Sequence, residues 1–423
     1  MKDLSKRKNH TDIAGEEIEP ALLRGLTESR LSRRALLRAG TVALGTIGFP
    51  SLASASGATD AGEGKDVDWS AWWAQQKPTD DLVFANWPYY IDVTDQGKTH
   101  PSLDAFTKAT GIKVKYLEVI QNNQPFYAKI APVLKAGQST GYDIIVMTNG
   151  WQLTELMMSG WLTPLWHEKI PNFYKYASPS VIGPDYDKSN KYTVTWQSGF
   201  TGIGYNPKLT KREITSVDDL WDPAFAGHVG MMSDNTELGA LGLLKLGINP
   251  ATSTPSDWDK AANVLRQQKD AGIVRQYYDQ SYIDALQNGD IWISQAWSGD
   301  IFQANGKGYK DLQFVVPKEG VMLWHDNMMI PLRAKNPLSA LAWMNFYYTP
   351  DIAGMVADWV NYVTPVPAAQ EYVRKELDDP DVADSPLVFP TNTMYAKTRD
   401  YYTFKSYDEY QRWNNVFNPI IQA

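Results

Sequence analysis

Residues 82–147 read LVFANWPYYIDVTDQGKTHPSLDAFTKATGIKVKYLEVIQNNQPFYAKIAPVLKAGQSTGYDIIVM. An apolar run, Leu82-Val83-Phe84-Ala85-Asn86-Trp87, is stopped by Pro88 and reads as a strand. Ser102 to Lys108 follows with helical spacing, and Ile112 to Val119 alternates with period two. Phe126 to Lys135 is helical again, and Tyr142-Asp143-Ile144-Ile145-Val146-Met147 is a continuous apolar strand, buried on both faces. Strand, helix, strand, helix, strand predicts a largely parallel α/β sheet.

The same grammar recurs after Tyr192 to Tyr205. His228-Val229-Gly230-Met231-Met232 leads into a helix opened by Ser233-Asp234-Asn235-Thr236-Glu237, and a long helix spans Trp258 to Lys269. Ile291 to Trp297, Phe314 to Val316 and Val321 to Ile330 read as strands, then Leu338 to Phe346 and Ile352 to Tyr362 as helices, before an irregular aromatic tail. Two α/β units with aromatics at their junctions predict two lobes around a cleft, a common place for ligands.

Upstream, residues 1–55 read as an address label. Ser32-Arg33-Arg34-Ala35-Leu36-Leu37, an apolar run from Ala39 to Phe49 and the small-x-small Ala53-Ser54-Ala55 resemble a cleaved twin-arginine export signal. That run is far short of the ~20 apolar residues a membrane span needs. Residues 56–80 read as a linker and N-terminal extension. The first 55 residues hold nine Lys/Arg and six Asp/Glu, so their removal deepens the net charge from −8 to −11.

Composition narrows the chemistry. The 423 residues contain no Cys, which excludes disulfides, thiolate metal sites, cysteine nucleophiles and a Cys-linked lipid anchor. The acidity argues against a nucleic-acid partner. Five scattered His form no metal-binding pair, and no nucleophile elbow, phosphate loop or dinucleotide fingerprint is present. No cofactor, metal or catalytic residue is expected. Paired carboxylates on an exported carbohydrate-active enzyme are the enzymatic alternative.

With 16 Trp and 23 Tyr, aromatics meet carboxylates at strand ends and helix starts. The places are Trp87-Pro88-Tyr89-Tyr90, Asp234 with Glu237, Trp297-Ser298-Gly299-Asp300, Trp324-His325-Asp326 and Tyr362. Through these and through Phe106 to Val114, Ser216 to Trp221 and Pro317-Lys318-Glu319-Gly320, residues 81–400 resemble the periplasmic spermidine/putrescine-binding proteins of bacterial ABC importers.

That resemblance implies a two-lobed periplasmic-binding-protein fold, with hinge-crossing strands near Trp196 to Tyr205 and Leu323 to Met328. It implies lobe 1 at 81–195 plus 325–370, and lobe 2 at 196–324 plus 371–423. The implied ligand is a polyamine or related organic cation, with a sugar as the other occupant of the fold. The implied partners are a membrane permease and its ATPase, and the protein is expected to be a monomer in the periplasm or cell-wall space. Matched position by position, Trp87, Tyr89, Tyr90, Asp234, Glu237, Trp297, Asp300, Trp324, Asp326 and Tyr362 fall on the site.

The chemistry agrees. A polyamine is a methylene chain carrying ammonium groups, for which aromatic faces supply roughly 0.5–2 kcal/mol per cation–π contact. Each buried ammonium requires a carboxylate. Two departures matter. Tyr89 stands where the family carries an acid, and Met147-Thr148-Asn149-Gly150-Trp151 replaces its usual Pro-Ser-Ser/Thr-Tyr, so the first lobe loses a carboxylate.

Bland roles compete with these. Asp234 and Glu237 also fit a capping box, whose positive helix end keeps both ionised. Trp297 and Trp324 also suit a core, Asp326 a surface lysine and Trp196 hinge packing, while Thr148 and Trp151 carry weaker signals than the rest.

Overall fold

The computed structural model describes residues 67–94, 99–306 and 311–422. The export-signal reading, and the linker up to residue 66, lie outside the described residues. Residue 67 onward is no mere linker. Asp68 caps a helix, Trp69–Ala74, whose Trp73 is buried and donates its indole N–H to the Pro164 carbonyl at 3.0 Å.

The strands are β1 (Asp81–Asn86), β2 (Lys113–Glu118), β3 (Ile144–Thr148), β4 (Val194–Tyr205), β5 (Val229–Met232), β6 (Val274–Tyr278), β7 (Ile293–Trp297), β8 (Gln313–Val315), β9 (Val321–Met329) and β10 (Thr398–Arg399). They pair in the order β2-β1-β3-β9-β4-β7-β5-β6, with β10 on β9 and β8 on β4.

The outer pairs, β1 with β2 and β3, and β5 with β6 and β7, are parallel. The centre is not. β9 runs antiparallel to β3 and β4, and β4 antiparallel to β7. The expected parallel sheet therefore holds for each half and fails between them. Two strands, β4 and β9, carry the chain from one half to the other in opposite directions.

The crossing strands are buried along their whole length, twelve residues in β4 and nine in β9. A register shift falls between Thr195 and Gln197. This bulge frees Trp196 from the ladder and turns its ring into the first-half core, against Phe84 and Tyr347. Its indole N–H donates to the Tyr90 carbonyl at 3.0 Å. The hinge-packing role of Trp196 is the one observed.

One large cluster, with Phe84, Phe106, Trp196, Trp343 and Tyr347, forms the first-half core. A second, with Trp258, Phe404 and Trp413, forms the other. The supposedly irregular tail is ordered. Ala369–Lys375 packs on the helix Pro350–Val360, Pro380–Ala383 packs on Ala369–Lys375, and Tyr407–Gln422 packs on Pro255–Asp270. Its apolar positions Trp413, Phe417 and Ile420 recur at helical spacing, which the scattered aromatics around them obscured. Among the described residues no helix is long and apolar enough to cross a membrane.

Candidate functional site

Three carboxylates sit where the halves meet, each gripped by side-chain donors from other elements. Asp326, in the middle of β9, accepts the Tyr90 hydroxyl at Oδ2 and the Thr148 hydroxyl at Oδ1, both at 2.6 Å. Asp300 accepts Tyr282 at 2.8 Å and Tyr362 at 2.9 Å, one on each oxygen. Glu237 accepts Thr201 at 2.9 Å and the Trp297 indole N–H at 3.3 Å on Oε1, and Tyr401 at 2.8 Å on Oε2.

Ring contacts join the three into one line. Tyr90 meets Tyr362 edge-on at 6.0 Å, Tyr362 meets Trp324 at 5.4 Å, and Tyr282 meets Trp297 at 6.3 Å. The line thus runs from Thr148 and Asp326 through Tyr362 and Asp300 to Trp297 and Glu237. Eight of the ten expected residues fall on it: Tyr90, Asp234, Glu237, Trp297, Asp300, Trp324, Asp326 and Tyr362.

Two glycines make the close packing possible. A Cβ on Gly199 would stand 2.2 Å from the Trp324 ring, and one on Gly299 would stand 2.4 Å from that of Tyr362. The glycine of Trp297-Ser298-Gly299-Asp300 therefore lets Tyr362 reach over the helix start to Asp300.

Trp87 is half-buried against the cluster that holds Tyr90, Trp324 and Tyr362, without a hydrogen bond or ring contact to them. Tyr89 stands apart. It is exposed, adopts φ +54°, and its amide donates to Glu118 Oε1 at 2.8 Å. The acid missing at Tyr89 has a neighbour in Glu118, whose carboxyl burial pushes upward from its ordinary pKa. Glu118 ends an edge strand and carries no motif, so nothing in the sequence marked it.

Capping explains Asp234 and not Glu237. Asp234 is the N-cap of the helix Asn235–Lys245, accepting the Thr236 and Glu237 amides at 2.8 and 3.1 Å. Glu237 does not reach back to close the box; its carboxylate turns to Thr201, Trp297 and Tyr401. The expectation that the helix end holds both firmly ionised fails for Glu237. Desolvation first, then repulsion from Asp234, pushes Glu237 up to about 7 against the three bonds that lower it. Asp234 is raised as well, by desolvation, although its side chain keeps contact with solvent. Crowding by surrounding protein outweighs its two amide bonds.

Asp326 is 1% exposed, which removes the surface-lysine reading. Thr148, whose signal was weak, is one of its two hydroxyl donors. Tyr282 and Tyr401 were missed altogether, being isolated tyrosines in a chain rich in them. Trp151 does not join the line; it packs with Phe404, Tyr407 and, stacked at 5.2 Å, Tyr410. Tyr90 and Tyr362 are fully buried.

A separate crevice of about 470 Å³ is lined by Asp185, Leu244, Asn249, Glu319, Arg399 and Asp400 among others. Leu244 lies seven residues beyond Glu237 on one helix, roughly 10 Å away. None of the line's residues borders it. Among the described residues no group of three or more His, Asp or Glu is placed to hold a metal ion.

Residues 102–391 match the family model described as bacterial extracellular solute-binding protein. The spermidine/putrescine-binding periplasmic protein of Salmonella typhimurium is 30% identical over 326 residues, covering 77% of this chain and 87% of its own. The putrescine-binding periplasmic protein PotF of Escherichia coli K12 is 29% identical, with 77% and 86% covered. Among solved structures, the spermidine/putrescine substrate-binding protein PotD of Streptococcus pneumoniae superposes with TM-score 0.69 at 26% identity, covering 81% of this chain and 98% of that one. The fold is the two-lobed one of periplasmic binding proteins. The chain belongs to the bacterial extracellular solute-binding protein family.

Proposed function

We propose that this protein captures a polyamine, or a related organic cation, between its halves and hands it to an ABC importer. The observation that carries the reading is the pair Asp234 and Glu237. The two carboxyls repel one another beside the Trp297 indole, and neither makes an ion pair among the described residues. An ammonium between them relieves that repulsion, and the aromatic line from Trp297 to Tyr90 offers faces for methylenes. Asp300 and Asp326, further along, offer further charges, so spacing along the line selects ligand length. The relatives named for spermidine and putrescine support this choice.

The mechanism is capture, closure and release, with no bond made or broken. Ligand favours whichever state brings both sets of carboxylates onto it, by its differential affinity for that state. The lobes are read as 81–195 with 325–370 and 196–324 with 371–423, hinged on β4 and β9, although the helices Ala369–Lys375 and Pro380–Ala383 pack with the first lobe's Pro350–Val360. The partners are a permease pair and its ATPases, and the protein acts as a monomer, which sedimentation tests. Export by the twin-arginine route is tested by Arg33→Lys with Arg34→Lys, which should leave the precursor in the cytoplasm.

Calorimetry with putrescine, spermidine and a neutral oligosaccharide decides the ligand class. Heat from an amine at micromolar affinity, about −8 kcal/mol, is expected. Sugar binding with no amine heat overturns the reading.

A further inference from the structure

Glu237 accepts three side-chain donors, and the third comes from far along the chain. Oε1 accepts from both Thr201 and Trp297, which fills its two lone pairs. Oε2 accepts from Tyr401 alone and keeps one lone pair for an incoming donor. The Tyr401 hydroxyl therefore decides which way that remaining lone pair points.

Tyr401 is itself firmly held. Two residues before it, β10 pairs in parallel with the first residues of β9, Thr398 with Val321 and Arg399 with Met322. Three residues after it, Phe404 is anchored among Trp258, Trp413 and Tyr402. The ring between these anchors is 7% exposed, and its oxygen also lies 3.3 Å from Thr201 Oγ1.

We propose that Tyr401, delivered by the segment after β10, is a positioning residue of the cation site, holding Glu237 in its charged, ligand-facing form. The inference rests on the reading of Asp234 and Glu237 as that site. The titratable groups facing Glu237 are Asp234 on its own helix and Tyr401; β4 and β7 contribute the Thr201 hydroxyl and the Trp297 indole. Burial and the neighbouring carboxylates raise Tyr401 well above the ordinary tyrosine value, so it stays a donor throughout the working range. A donor to the carboxylate favours its charged form, and removing it moves the protonation of Glu237 to higher pH.

The test is amine calorimetry on the full mature chain from pH 5.5 to 8.5, with wild type, Tyr401→Phe and Thr201→Val. Wild-type affinity should fall as pH drops through about 7. Tyr401→Phe should bind on the order of tenfold more weakly at pH 7, with its acid midpoint shifted upward and the gap to wild type narrowing toward pH 8.5. Thr201→Val, on a different element, should shift the midpoint in the same direction. In a Glu237→Gln background, Tyr401→Phe should change neither affinity nor pH profile. A Tyr401→Phe protein whose midpoint equals wild type overturns the proposal even if its affinity drops, because packing alone moves all pH values together. Should Tyr401→Phe fail to fold, Thr201→Val decides by the same criterion. Absence of amine heat from wild type overturns the underlying cation reading instead.

Discussion

Replacing Asp326 separates its role in the fold from its role in the site. The carboxylate bridges Tyr90, just past β1, and Thr148, at the end of β3, through two 2.6 Å hydrogen bonds, and is 1% exposed. Asp326→Ala deprives both hydroxyls of this acceptor. At roughly 1.5–3 kcal/mol per hydrogen bond to a charged group, losing both costs on the order of 3–6 kcal/mol of stability. A loss of ligand in this variant would say little about binding.

Asp326→Asn is the informative change. Its carbonyl still accepts one hydroxyl, and its amide donates to the oxygen of the other, because tyrosine and threonine oxygens also accept. The stability cost falls to about 1 kcal/mol. Removing one partner of a buried charge pair costs roughly 3–5 kcal/mol, a hundredfold to several-thousandfold in affinity. Thermal unfolding should therefore find Asp326→Asn close to wild type, while calorimetry finds amine binding lost or nearly so. A folded Asp326→Asn that binds within threefold of wild type would refute the assignment of Asp326 to the ligand.

Other outcomes follow from the same geometry. Glu237 has a folded-state pKa of about 7 against an ordinary 4.5, so the folded state holds more protons between those values and ligand-free stability falls as pH rises through the window, by about 3 kcal/mol in all. Glu237→Gln should flatten that decline in calorimetric unfolding, and an unchanged slope would remove Glu237 as its source. His325, lowered to about 4 by burial, acts with the opposite sign: stability present above pH 6.5 is lost as pH falls toward 4, and Glu237→Gln leaves this limb intact. Gly299→Ala sets a methyl against the Tyr362 ring and should cost about 1–3 kcal/mol by denaturation while weakening amine binding, unless Tyr362 is no part of the site. Trp151→Ala removes a ring packed on Phe404, Tyr407 and Tyr410. It should lower stability by roughly 3–5 kcal/mol and speed hydrogen exchange in 401–422, whereas unchanged exchange would show the tail to be held without it.

Much of the fold was legible because it rests on short-range pattern. β1, β2 and β3 and the helices between them lie within three residues of where hydrophobic period placed them, as do β7 and β9. The helix Asn235–Lys245 announced itself through Asp234. β6 was missed because only Tyr278 of Val274-Arg275-Gln276-Tyr277-Tyr278 is buried at the sheet edge, so no alternating buried face wrote itself into its residues.

At the site, the motif residues were legible through chemistry that requires aromatics beside acids. Their partners were not. Thr148, Tyr282 and Tyr401 lie 178, 18 and 164 residues from the carboxylates they bond. Hydrogen bonding has no sequence period, and one tyrosine among 23 carries no mark of what its hydroxyl will meet.

By itself the sequence determined most of the elements up to residue 362, the two-lobed fold, the missing cysteine chemistries and eight residues that lie together. Composition, period and motif are properties of the chain alone. The tertiary structure decided which acid caps and which one waits: Asp234 satisfies its own helix, while Glu237 is lifted to about 7 by burial and by Asp234. That distinction depends on what surrounds a carboxylate, and the surroundings of Glu237 are assembled from four separate stretches of chain only when the protein folds.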